Sequence, residues 1–173
     1  MSLPRISREA LQAAATQPGG ILPLVVEKTW GEALGNTDAP HELSAEAMQR
    51  LTAAQITLLA YDILRRELME GGYVQLIHNG YGPFFFLNPF AKAMRLWGLK
   101  ELQNDVYAAR RLYEKYGSEI ERDCSDEEFM ALYERFEYFD ELDDRFQDCK
   151  PQYTAAIAEY VEANKDDFLE ETE

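Results

Sequence analysis

Six carboxylates recur along one stretch of this chain at intervals that a helix would turn into a single line. Glu127, Glu134, Glu137, Glu141, Asp144 and Asp148 follow one another at spacings of 7, 3, 4, 3 and 4. Those are the returns of one helical face. At about 1.5 Å rise per residue, such a ridge sets a carboxylate roughly every 5–6 Å. The chemistry available to it is ionic. A fixed row of anions accepts charge-assisted hydrogen bonds from lysine and, in bidentate form, from arginine. Duplex DNA offers such cations one charge per ~3.4 Å of axis on each strand. Two acidic ridges side by side would approach that density. Glu121, Asp123 and Asp126 extend the array upstream, and Asp166 and Asp167 extend it downstream.

The acids are not spread evenly. Residues 1–117 hold twelve acids and twelve bases, which cancel, whereas residues 118–173 hold twenty acids and five bases. The whole formal charge of −15 therefore belongs to the last third. Such asymmetry points to an electrostatic interaction surface. Phe129, Leu132, Tyr133, Phe136, Phe139, Leu142 and Phe146 run through the same stretch. A disordered acidic tail lacks large side chains of this kind, so the segment is expected to fold and fix its carboxylates. In most proteins, acids opposite an apolar stripe are simply the solvated face of a helix. Here few cations are interleaved to form i,i+4 pairs, and like charges at that spacing repel. A destabilising arrangement of this size suggests a use.

Other chemistry finds little support. Two His and two well-separated Cys cannot supply a zinc site. Asp140 to Asp144 are acidic, but the glycine and ligand order of a calcium loop is missing. Gly71-Gly72 and Gly80-Tyr81-Gly82 follow expected helices and lack the phosphate-loop pattern. His78 sits among apolar neighbours with Glu70 nearby in sequence, and reads as a hydrogen-bonded core histidine rather than half of a catalytic pair. His41 falls in a loop. Asp62, Arg65, Arg66, Glu67 and Glu70 read as ordinary i,i+4 pairs. Cys124 and Cys149 read as free thiols in acidic surroundings, which disfavour a nucleophilic thiolate. No nucleophile elbow occurs. The expectation is a protein that is not an enzyme and has no catalytic residues, cofactor or metal.

With 46% apolar residues, ten Tyr and nine Phe, the chain can bury a core as one domain. No apolar run reaches the eighteen residues of a membrane span. The N-terminal residues do not read as a secretory signal, and Ile21–Val26 is too short and carries Pro23. The expected location is cytoplasmic. The acidic balance disfavours direct contact with nucleic acid or anionic lipid.

The elements that must hold the array are helical. Ser7 caps a first helix that Pro18-Gly19-Gly20 stops. A short helix spans about 25–34, and Ser44 opens another to about Leu51. Thr52 and Gln55 form a capping box for a long core helix through Ile56, Leu59, Ala60, Ile63, Leu64 and Leu68, with Gly71 as its stop. Asn79 to Pro83 reads as a turn and Phe84–Phe86 as a buried anchor. Asn88 caps a helix with Pro89 in its first turn, which Gly98 ends. The next helix runs from Leu99 to Tyr116 and closes at Gly117. Ser125 and Glu128 cap the acidic helix, where a break near Phe139–Asp140 stays open. Pro151 starts the last helix, and the final DDFLEETE is expected to fray. The fold expected is all-α: a single compact domain of about seven to nine helices spanning 1–173, its acidic surface concentrated in 118–173.

Some of these residues resemble a known family. Gly71-Gly72-Tyr73 after a long helix, then Asn79-Gly80 and Phe84–Phe86, resemble the N-G-G-(F/Y)…(F/Y)-x-N core of a bacterial family of all-helical domains with no general assigned function. This chain has Glu70 where that family often has Asn. Phe139-Asp140-Glu141-Leu142-Asp143-Asp144-Arg145-Phe146 is similar to its second signature, and the likeness covers roughly residues 45–165. Together with the acidic last third, the chain resembles the DNA-mimic branch of that family. The resemblance implies an all-helical homodimer whose acids imitate duplex phosphates. It would occupy the DNA-binding face of a helix-turn-helix transcription factor and block operator binding. Such factors read half-sites about 34 Å apart, which one copy of a domain this size could barely span, so a homodimer is expected. Acidity alone leaves a second class open, an immunity or antitoxin protein that plugs a basic nuclease.

Overall fold

The computed structural model describes residues 3–173. Among them, β1 (Arg5–Ser7) leads into α1 (Arg8–Ala15), α2 (Leu22–Leu34), α3 (Ala45–Arg50) and α4 (Ala53–Glu70). Then come α5 (Gly72–His78), α6 (Gly82–Phe86), α7 (Phe90–Leu96), α8 (Lys100–Ile120) and α9 (Asp126–Arg135). A 3₁₀ turn (Glu137–Phe139) precedes α10 (Asp140–Ala163), and a second (Lys165–Asp167) precedes β2 (Glu170–Thr172). The fold is all-α, as the periodicity predicts. Eight of these helices have at least seven residues, within the expected seven to nine.

The chain divides into two compact units, and the divisions fall inside α4 and α10. One comprises the chain up to Ile63 together with Thr154–Glu173. In it, Ser7 Oγ accepts from the Ala10 N–H at 3.2 Å and starts α1. Thr52 and Gln55 close their capping box reciprocally, at 2.8 and 3.2 Å, and start α4. Buried Trp30 donates its indole N–H to Asp62 at 3.0 Å, so Asp62 does more than form a helix-surface pair. The C-terminal residues do not fray. Phe168 and Leu169 are buried, and β2 pairs in parallel with β1, Arg5 opposite Glu170. Two large apolar side chains leaving water stabilise the tail by roughly 2–3 kcal/mol each, more than fraying returns.

The other unit, Leu64–Tyr153, holds most of the acidic segment. Here α8 packs against α5, α6 and α7. Gly117 does not close α8, which runs on to Ile120. The glycine serves packing instead, since a Cβ at Gly82 or Gly117 would collide with the Tyr113 ring. Tyr73, Phe86 and Phe139 form an aromatic core with centroids 6.3 and 6.1 Å apart.

Two further expectations change. The long core helix ends as expected, but the left-handed residue is Gly72, at φ 69°, and not Gly71. Pro151 does not start a helix; it lies inside α10. A proline there leaves the carbonyl four residues back without its helical donor. That residue is Gln147, which is exposed, so water can take the donor's place.

Candidate protein-binding surface

All eleven array residues are exposed: Glu121, Asp123, Asp126, Glu127, Glu134, Glu137, Glu141, Asp144, Asp148, Asp166 and Asp167. The local sequence sets the first acids of α9 in place. Ser125 Oγ accepts from the Glu128 N–H at 3.2 Å, and the Glu128 carboxylate accepts from the Ser125 N–H at 2.9 Å. This box starts α9 and places Asp126 and Glu127 in its first turn, where acids also complement the helix dipole. Glu134 follows Glu127 after two turns on the same face. Glu141, Asp144 and Asp148 share one face of α10, opposite buried Leu142, Phe146 and Tyr153.

The single unbroken ridge that the spacing predicts does not form. Helix α9 ends at Arg135, and Phe136 takes a non-helical conformation at φ −114°, ψ 41°. Phe136 and Phe139 are both buried, at 2% and 0% exposure. A 3₁₀ turn eclipses side chains three apart, and here both rings point inward. Glu137 sits in that turn. The array in this unit is therefore two helical rows joined at a bend. Asp166 and Asp167 lie in the second 3₁₀ turn, in the other unit.

The carboxylates are largely unneutralised. Among the described residues, Glu141 is the array member with an ion pair, to Arg145 at 3.4 Å, and Arg145 is shared with buried Asp105 at 3.4 Å. Glu121 accepts a hydrogen bond from the Tyr113 hydroxyl at 2.7 Å. Burial first, and then this neighbour, push the Tyr113 phenol up to about 12. Glu121 and the other nine have no cationic partner among the described residues. Glu119, outside the array, pairs with Arg135.

One acid of the segment has a different task. Asp143 Oδ1 accepts from the Tyr73 N–H at 2.9 Å. The carboxylate lies against Gly72, where a Cβ would collide with it. Burial, aided by Asp140 and Asp144, pushes Asp143 up to about 7, while the Tyr73 N–H pulls the other way. Tyr133 adds a second tie from α9 to the same loop, donating to the Gly71 carbonyl at 3.0 Å. The Gly71–Tyr73 segment is thus the socket into which both acidic helices fasten. Sequence reading missed this role, although Phe139, Asp143 and Phe146 at i, i+4 and i+7 already place that acid on the buried stripe.

Other candidates are structural. His78 Nδ1 is 2.8 Å from the Ile120 carbonyl, and its ring packs on Phe129 with centroids 4.7 Å apart. Glu67 is no surface pair. It is buried and accepts from Asn79 at 2.8 Å and Gln75 at 3.2 Å. A cleft of about 280 Å³ beside Gly72 is bordered by Glu70, Asp140, Asp143, Asp144 and Tyr133. Among the described residues, no three His, Cys, Asp or Glu side chains converge as metal ligands would. Cys124 and Cys149 are free and half-buried. No helix of the described residues is long and apolar enough to cross a membrane.

The fold and its exposed carboxylates define an all-helical acidic protein with a surface suited to cationic partners. The chain belongs to the DMP19-like protein family, which matches residues 49–164. It is 33% identical over 124 residues to the DNA mimic protein DMP19 of Neisseria meningitidis serogroup B, across 71% of this chain and 75% of that protein.

Proposed function

We infer that this chain is a DNA mimic whose acidic side chains stand in for duplex phosphates on a DNA-binding protein. The observation that carries this reading is the set of ten exposed array carboxylates without a cationic partner among the described residues. Its support is the relative named a DNA mimic. The partner is a helix-turn-helix transcription factor, and occupation of its DNA-binding face blocks the operator. Arginines and lysines that grip phosphate grip the two helical rows instead. Glu127 to Glu134, and Glu141 to Asp148, each extend about 10 Å along their helix. Half-sites about 34 Å apart therefore call for two copies, and the chain acts as a homodimer in the cytoplasm.

The test is competition. The chain is titrated into a complex of the transcription factor it retains at low salt and that factor's operator DNA. Displacement by the native chain, and none by the E134K/E137K/E141K variant with unchanged helix content, is the expected result. Displacement by both would assign binding to other residues. Retention of a basic nuclease in place of a transcription factor would support an immunity protein instead.

A further inference from the structure

One large apolar side chain stands within the acidic row of α9 rather than on its packed side. Met130 follows Glu127 by three residues and precedes Glu134 by four, inside one continuous helix. Side chains at those spacings are neighbours, with Cβ atoms about 5–6 Å apart. Met130 is 63% exposed. The packed side of α9 is held by other residues: Phe129 lies on the His78 ring, and Tyr133 donates to the Gly71 carbonyl. Folding therefore leaves Met130 without a task. Tyr138 in the bend is 55% exposed, but it stacks on Tyr116 with centroids 5.1 Å apart, so packing accounts for it. Between Glu141 and Asp148 in α10, none of the large exposed apolar side chains among the described residues occurs. Met130 is the apolar member of the two rows.

A lone exposed apolar residue is ordinary. One bracketed by exposed carboxylates is different, because charge complementarity decides what covers it. Glu127 and Glu134 call for a cationic surface, and whatever that surface brings to both must also cover Met130. On DNA, phosphate contacts position a protein, whereas base edges specify the site, and thymine offers an apolar methyl in the major groove. Carboxylates imitate the phosphates alone. A thioether is apolar, unbranched and adaptable, which suits it to a protein-binding surface. We propose that Met130 is a specificity-determining residue of the partner-binding surface, standing in for a thymine methyl. It receives an apolar side chain from the groove-reading face of the DNA-binding partner, while Glu127 and Glu134 hold that partner's cations on either side. This rests on the DNA-mimic reading and adds to it a contact that salt does not screen.

The test compares native chain, Met130→Gln and Met130→Leu, each full-length, in binding to the transcription factor retained at low salt and to polylysine, a cation with no groove-reading face. The position is exposed, so the unfolding midpoint should stay put in both variants. Met130→Gln should bind the factor about tenfold more weakly. Its salt slope should match that of the native chain, since no charge has changed. Its affinity for polylysine should be unaltered. Met130→Leu keeps an apolar side chain of similar size and should stay within about threefold of native. Undiminished binding of the factor by Met130→Gln overturns the role of Met130 while leaving phosphate imitation intact. An equal loss towards polylysine overturns it too, because the contact then discriminates nothing. Failure of the native chain to displace operator DNA sinks the DNA-mimic reading, and this inference with it.

Discussion

Helices α9 and α10 both carry array carboxylates, but they are anchored differently. In α10, Leu142, Phe146, Tyr153, Ile157 and Val161 are buried, and Asp143 reaches the Gly72–Tyr73 backbone. In α9 no residue is buried, and Met130 is 63% exposed between Glu127 and Glu134. What fixes α9 is its capping box, the Phe129 ring on His78, Tyr133 on Gly71, and the Arg135–Glu119 pair. One acidic row is thus held by the core, and the other by its ends and a few side-chain ties. A rigid charge lattice does not require every helix that carries it to be buried; it requires each to be tied at both ends.

Perturbations can break or sharpen this contrast. The largest effect on binding should come from reversing charge on both rows and the bend between them. The E134K/E137K/E141K variant should weaken the partner complex by at least about a hundredfold, measured by titration calorimetry, with the circular dichroism spectrum unchanged. The largest effect on stability should come from α10: Phe146→Ala should cost about 3–5 kcal/mol in denaturant unfolding. Leu132→Ala on α9, half-exposed, should cost clearly less.

Asp143 links the two helices to pH. Its folded value of about 7 is raised above the ordinary carboxylate value, so the folded state holds this proton more tightly than the unfolded chain does. Its contribution to stability is full below about pH 4 and is lost as pH rises to about 7. The slope from this group is at most about 1.4 kcal/mol per pH unit. Asp143→Asn keeps an acceptor for the Tyr73 N–H and should flatten that part of the stability profile, read by unfolding between pH 4 and 8. The smallest effect belongs to the cap. Ser125→Ala should lose about 1 kcal/mol, seen as faster amide exchange in α9 while α10 stays protected.

Much of this was legible in local sequence rules. The boxes Thr52–Gln55 and Ser125–Glu128 start their helices as read, and Gly98 ends α7 in the left-handed conformation. These signals act over three or four residues, and tertiary context had little to override. The bend at Phe136 was not legible, because α and 3₁₀ spacing compete there and only core packing of Phe136 and Phe139 decides between them. Pro151 and Gly117 read as punctuation but serve inside helices, where the exposed Gln147 four residues before the proline and the Tyr113 ring beside the glycine make them tolerable. The partner of β2 is Arg5–Ser7, at the far end of the sequence, so no window on the tail could reveal it. The exposure of the array followed from its periodicity, whereas the inward turn of Asp143 depended on reading one acid against the apolar stripe.

The most direct test is the salt dependence of operator displacement by the native chain, between about 50 and 200 mM salt. Carboxylates acting as phosphates predict that the partner's affinity for this chain falls log-linearly with salt, as its affinity for DNA does. Neutralising Glu127 and Glu134 to Gln should make that slope shallower. A salt-independent affinity, or a slope untouched by those substitutions, would contradict phosphate imitation by this surface.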